Sequence, residues 1–137
     1  MLPVKLTYTD YEENERTETF YFNLTEAELT MWQLKRSGGM KKHLEKIMET
    51  QNAPEIMENF RQIIHMSYGE KSEDGRRFIK KAPDGHELAD DFEQTEAYSQ
   101  LIMKILSDEK YAADFVNGLM PKSLKGEVAK ANLEVVK

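Results

Sequence analysis

The chain contains no cysteine. That excludes a disulfide framework and a thiolate metal site, and it fits a reducing compartment. No apolar run approaches the length of a membrane helix, which needs about 20 consecutive apolar residues. Met1-Leu2-Pro3-Val4-Lys5 lacks the basic and apolar regions of a signal peptide. No membrane partner is expected, and the place of action is expected to be the cytoplasm in which the chain is made. Positive charge is the minority sign: 19 Lys and Arg against 25 Asp and Glu leave a formal charge of −6. Gripping a phosphate backbone takes clustered Lys and Arg, so no nucleic-acid partner is expected. Lys41-Lys42 and Arg76-Arg77 are short basic pairs that read as solvated surface.

Catalytic signatures are also missing. There is no glycine-rich loop ending in Gly-Lys-Ser/Thr and no serine in a Gly-x-Ser-x-Gly elbow. His86-Glu87-Leu88-Ala89-Asp90 approaches the zinc-protease string, but Asp90 stands where the second histidine belongs. It reads as a helix start with exposed acids. His43 and His65 fall on separate predicted helices, without a metal-ligand spacing. Glu70, Glu73, Asp74, Asp90, Asp91 and Glu93 lack the alternating ligand spacing and central glycine of a calcium loop. The sequence therefore assigns no catalytic residue, no cofactor and no metal ligand, and a non-enzymatic protein is expected.

What is present is a single domain's worth of amphipathic pattern in 137 residues, 39% hydrophobic and 32% charged. Val4, Leu6 and Tyr8 alternate with polar residues, as do the residues from Thr17 to Phe22. Together they predict a β-hairpin with a longer polar loop. A lone hairpin is marginal in water and must pack on helices or gain a strand. Thr25 and Glu28 form a capping-box pattern, with Leu24 and Leu29 placed as its hydrophobic staple. That helix should end near Ser37-Gly38-Gly39. Met40, Leu44, Ile47 and Met48 mark a second helix. Pro54 opens a third, with the stripe Ile56, Met57, Phe60, Ile63, Ile64 and Tyr68.

Gly69 to Arg76 reads as a loop, Arg77 to Lys81 as a short strand, and Pro83-Asp84-Gly85 as a turn. Leu88 and Phe92 mark a short helix. Thr95 caps the next, whose face is Tyr98, Leu101, Ile102, Ile105 and Leu106. Ser107-Asp108-Glu109 starts a last one, with Tyr111, Ala112, Phe115 and Val116 inward and Gly118 and Pro121 as stops. The expected fold is α+β: a small antiparallel sheet at the N-terminus packed against about five helices. Residues 1–121 form the single domain. Residues 122–137 are expected to be a mobile tail, helical when bound, with Leu124 and Val128 on one face.

Seven methionines lie along the predicted helices, among them Met31, Met40 and Met103. Methionine fills cores, and it also suits a surface that accepts varied apolar partners. The second reading makes Trp32, Met31, Met40, Met103, Leu124 and Val128 a candidate partner-binding surface. Trp32 serves equally well as a core aromatic.

Three strings follow one another along the chain: Met66-Ser67-Tyr68-Gly69-Glu70-Lys71-Ser72-Glu73-Asp74-Gly75-Arg76-Arg77-Phe78, then Phe92-Glu93-Gln94-Thr95-Glu96-Ala97-Tyr98, then Phe115-Val116-Asn117-Gly118-Leu119-Met120-Pro121. In a short acidic chain they resemble the tail assembly chaperones of long-tailed phages and prophages of Gram-positive bacteria, over roughly the first 121 residues. The resemblance implies a non-catalytic role in the cytoplasm of the bacterial host. It implies binding to the tape-measure protein and recruitment of the tail-tube protein. A longer frameshifted form of the chain, and a homo-oligomer, are further partners it implies. The rival readings are a structural tail or head–tail component retained in the virion, a small metal-dependent enzyme using Asp90-Asp91, and a regulator that binds a host protein.

Overall fold

The computed structural model describes residues 1–35, 46, 49 and 51–121. The predicted hairpin is β1 (Leu2–Thr9) and β2 (Glu15–Phe22), antiparallel from Leu2 opposite Phe22 to Thr9 opposite Glu15. Val4 and Leu6 are buried while Lys5 and Thr7 are exposed, as the alternation requires. Asp10 closes the loop. One carboxylate oxygen accepts the Glu12 and Asn14 amides at 2.9 Å each, and the other accepts Arg16 Nε. That Asx arrangement carries Glu13 through a left-handed φ of 65°.

The capping box at α1 (Glu26–Lys35) is formed in both directions. The Thr25 amide donates to Glu28 Oε1 at 2.9 Å, and the Glu28 amide to Thr25 Oγ1 at 3.1 Å. The second predicted helix face, with Met40, Leu44, Ile47 and Met48, lies outside the described residues. So does the predicted tail. The third predicted helix is α2 (Ala53–Ser67), capped by the Asn52 side chain and opened by Pro54. Phe60, Ile63 and Ile64 are buried along its stripe, whereas Met57 is 38% exposed.

The helix stops one residue before the predicted stripe does. Tyr68 has extended backbone and starts β3 (Tyr68–Lys71), where a loop was expected. β3 pairs with β2 through Tyr21–Gly69 and Phe22–Tyr68, and with β4 (Phe78–Ile79) on its other side. Glycine and charged residues are depleted from strands, so the segment gives no local strand signal. Its reason is tertiary. A Cβ on Gly69 would lie 2.6 Å from Phe78 Cε2 and 2.7 Å from the Ile79 carbonyl oxygen. The sheet order is β1-β2-β3-β4, all antiparallel. β4 is shorter than the predicted Arg77–Lys81. The turn after it forms as expected, with Gly85 at φ 94° and the Ala82 amide donating to the His86 carbonyl at 2.9 Å.

Helices α3 (Leu88–Glu93), α4 (Glu96–Ser107) and α5 (Glu109–Leu119) follow. Thr95 caps α4, and the Asp108 carboxylate caps α5 through the Lys110 and Tyr111 amides. Gly118 does not stop the last helix. It lies inside α5, where a Cβ would come within 2.6 Å of Leu2 Cδ1.

At the centre is Phe22, fully buried, with ring centroids of Phe115, Tyr68 and Phe92 at 5.3, 5.6 and 5.8 Å. Phe92 in turn stacks on Tyr68 at 4.5 Å and meets Tyr98 edge-on at 6.0 Å. Apart from Phe22, these rings come from the three strings that carry the family resemblance. Those strings record a packed aromatic core that ties β3, α3, α4 and α5 to β2.

Candidate functional site

Lys80 follows β4 and reaches across to three segments at once. Its ammonium donates to the Asn23 carbonyl at 2.9 Å, the Met66 carbonyl at 2.7 Å and Glu28 Oε2 at 2.6 Å. The Met66 carbonyl belongs to the last turn of α2, which has no intrahelical partner for its final carbonyls and favours a cation. Burial pushes the Glu28 carboxyl up, but the hydrogen bonds from Lys80 and Thr25 outweigh it and leave it below the usual glutamate range. One glutamate thus caps α1 and holds Lys80.

Above this joint is an open cleft of about 780 Å³. Met31, Met66, Phe78 and Ile79 supply its apolar lining, and Arg77 and Lys81 bring positive charge beside them. Met31 is 62% exposed on α1. An apolar concavity with a few placed charges is the ordinary form of a binding cleft. No nucleophile–base pair lines it.

Of the residues predicted for a partner surface, Met31 lies in this cleft. Met103 is 58% exposed on α4, the helix that buries Leu101, Ile102 and Ile105, and is not among the cleft residues. Trp32 is placed within α1. Met40, Leu124 and Val128 lie outside the described residues. Sequence reasoning missed Phe78, Ile79 and Lys80 as lining. The apolar pair between basic residues was visible, but only the pairing of β4 with β3 places it opposite α1.

Two ionic clusters lie nearby. Arg61 Nε donates to Glu93 Oε1 at 2.5 Å, and His65 Nε2 meets Glu93 Oε2 at 2.6 Å. His65 Nδ1 lies 3.6 Å from Asp90 Oδ1. The Arg61 guanidinium holds the Glu93 carboxyl below its usual range against the effect of burial, with His65 adding to it. His65, Asp90 and Glu93 present ligand atoms within 4.8 Å of one another, which is the donor set for a divalent ion among the described residues. A metal there would have to replace the His65 Nε2–Glu93 Oε2 contact, beside the oxygen that Arg61 Nε already holds. The zinc-protease-like pair does not assemble: His86 bonds Asp84 and Asp91, while Asp90 turns to His65. The Asp91 and Asp84 carboxylates raise the His86 imidazole above its ordinary value.

No described helix is long and apolar enough to cross a membrane. A family model described as phage tail assembly chaperone matches residues 1–137. No curated protein and no solved structure matches the chain.

Proposed function

We propose, because this chain belongs to the phage tail assembly chaperone family, that it binds the tape-measure protein during assembly of a phage tail. The family match over residues 1–137 is the observation that carries this reading. The chaperone keeps that long amphipathic chain soluble and helps the tail-tube protein assemble on it, without catalysis, in the cytoplasm of a Gram-positive host. A longer frameshifted form of the chain would carry the same folded unit to the same partners.

The cleft supports the reading through its chemistry. A holdase needs an apolar strip that water does not disrupt, and enough net charge to stay soluble. Met31, Met66 and Phe78 offer adaptable apolar contact, and the chain's charge is −6. Such binding rests on apolar burial, so moderate salt should weaken it little.

The test is co-expression with the tape-measure protein, in parallel with an unrelated acidic domain of equal size. The chaperone should raise the soluble tape-measure fraction and form a complex with several copies per chain, seen by size exclusion with light scattering. Met31→Glu, an exposed change, should fold normally and lose most of that effect. Equal insoluble fractions with both proteins, and no complex, would replace this reading with that of a component retained in the virion.

A further inference from the structure

Hydrogen bonding in the β1–β2 hairpin has a fixed parity. The Asp10 amide donates to the Asn14 carbonyl at 2.9 Å, in the register that pairs Leu2 with Phe22. Even-numbered residues of β1 are therefore the ones bonded to β2, because such pairs alternate along an antiparallel ladder. The far end of β2 agrees. Asn23 donates to the Ser67 carbonyl at 2.8 Å and Tyr21 faces Gly69, so odd positions of β2 serve β3. Lys5, Thr7 and Thr9 are left with amides and carbonyls pointing away from β2. β1 has one neighbour in the sheet, so among the described residues these groups face an open edge. Pro3, which has no amide hydrogen, sits on the same outward parity, where proline is tolerated.

The floor beside this edge is formed. Leu2, Lys5, Lys104, Tyr111, Asp114 and Phe115 line an open cavity of about 290 Å³. Its base is apolar, and Lys104 Nζ lies 5.0 Å from the Tyr111 ring centroid. Lys5 and Lys104 together outweigh Asp114, a local positive excess in an acidic chain.

We propose that the β1 edge accepts an extended segment of another protein as an added strand. An apolar side chain of that segment fills the cavity beside Lys104, and a carboxylate on the adjacent residue, which points to the opposite face, meets Lys5. Main-chain hydrogen bonds would supply the affinity and the cavity the selectivity. A second copy of the chain fits less well, because β1, Leu-Pro-Val-Lys-Leu-Thr-Tyr-Thr, has no acidic residue to offer. This site is separate from the cleft beside Met31 and does not depend on the identity of the partner held there.

The test uses the isotope-labelled full chain and a synthetic peptide of about eight residues, a typical strand length, alternating valine with threonine and glutamate. Amide exchange followed by NMR should be fast at Lys5, Thr7 and Thr9 and slow at Leu6 and Tyr8 in the free chain. Adding the peptide should slow the three outward amides. A peptide with N-methylated alternate residues should not. Thr7→Pro removes an amide that β2 does not use, so it should melt near the wild-type temperature yet lose the protection. The charge reversal Lys5→Glu with Lys104→Glu, which leaves the backbone untouched, should weaken binding about tenfold or more, equivalent to ~1.4 kcal/mol. The proposal is overturned by protection of the three amides in the free chain, by no protection at millimolar peptide, or by undiminished binding in the charge-reversed variant. A dimer that protects the same amides without peptide would assign the edge to a second copy instead.

Discussion

The Glu28 carboxylate and the Lys80 ammonium lie 2.6 Å apart, and through them the start of α1 is fastened to the ends of β2 and α2. Lys80→Ala leaves the Asn23 and Met66 carbonyls without that donor and Glu28 without its cation. A cost of about 1–3 kcal/mol is expected for such half-satisfied groups, read from urea denaturation. Glu28 also fixes a pH dependence. Its folded-state pKa is depressed, so its contribution is complete above the usual glutamate range and is lost as pH falls through the lower folded value. The acid-side loss of stability should be smaller in Lys80→Ala. An unchanged acid limb would mean that the pair is not formed in solution.

Gly69→Ala should be costly although alanine is a small change. The added methyl would enter the space of the Phe78 ring and the Ile79 carbonyl, and backbone cannot yield as a flexible side chain does. Overpacking of this kind costs about 1–3 kcal/mol. The antiparallel pairing of β3 with β4 depends on that contact, so amide exchange at Glu70 and Ile79 should accelerate together. Wild-type exchange there would place the strain elsewhere.

Ile64→Asp should unfold the domain. Ile64 is 1% exposed in the middle of α2. A buried carboxylate without a partner costs several kcal/mol, a large part of a total of about 5–15 kcal/mol. Circular dichroism with an unchanged melting temperature would show that this face of α2 is not in the core.

His86 should titrate above the ordinary histidine range. Its two ring nitrogens meet Asp91 at 2.8 Å and Asp84 at 2.5 Å. Asp91 contributes most and Asp84 next to the upward shift. A raised folded value means that the clasp stabilises most at pH below the unfolded value, and that its contribution fades as pH rises through the folded one. NMR titration should show the shift reduced in Asp91→Asn and again in Asp84→Asn. A titration at the ordinary value in the wild type would show the clasp to be open in solution.

Residues 122–137 are proposed to lie outside the folding unit. A chain truncated after Pro121 should melt cooperatively near the full-length temperature. A loss greater than about 10 °C, where 1 kcal/mol shifts a small domain by about 4–8 °C, would mean that these residues contribute to the core.

Much of the fold was legible because its signals are local. The Val4–Leu6–Tyr8 alternation, the Thr25–Glu28 box, the Thr95 cap and the Phe60–Ile64 stripe each need only a few neighbouring residues. β3 was not legible, because Tyr68 continues the helical stripe and Gly69 carries no strand preference. Only contact with Phe22 and Phe78 settles that segment. The same holds for Gly118, a stop signal by composition that Leu2 turns into a packing position. The cleft was half legible. In the sequence Met31 is only one of seven methionines spread along the predicted helices, while Lys80 is one of many lysines until its three acceptors are seen.

Leu2 against Gly118, and the Leu24 amide on the Leu119 carbonyl, join the earliest residues to the last described helix. Synthesis proceeds at about 5–20 residues per second, so the hairpin waits several seconds or more for the helix that completes its floor. During that interval Val4, Leu6 and Phe22 have no permanent cover. A chaperone built this way passes through its own brief need for protection each time it is made, and a nascent chain halted before α5 would be a substrate for the cell's quality control.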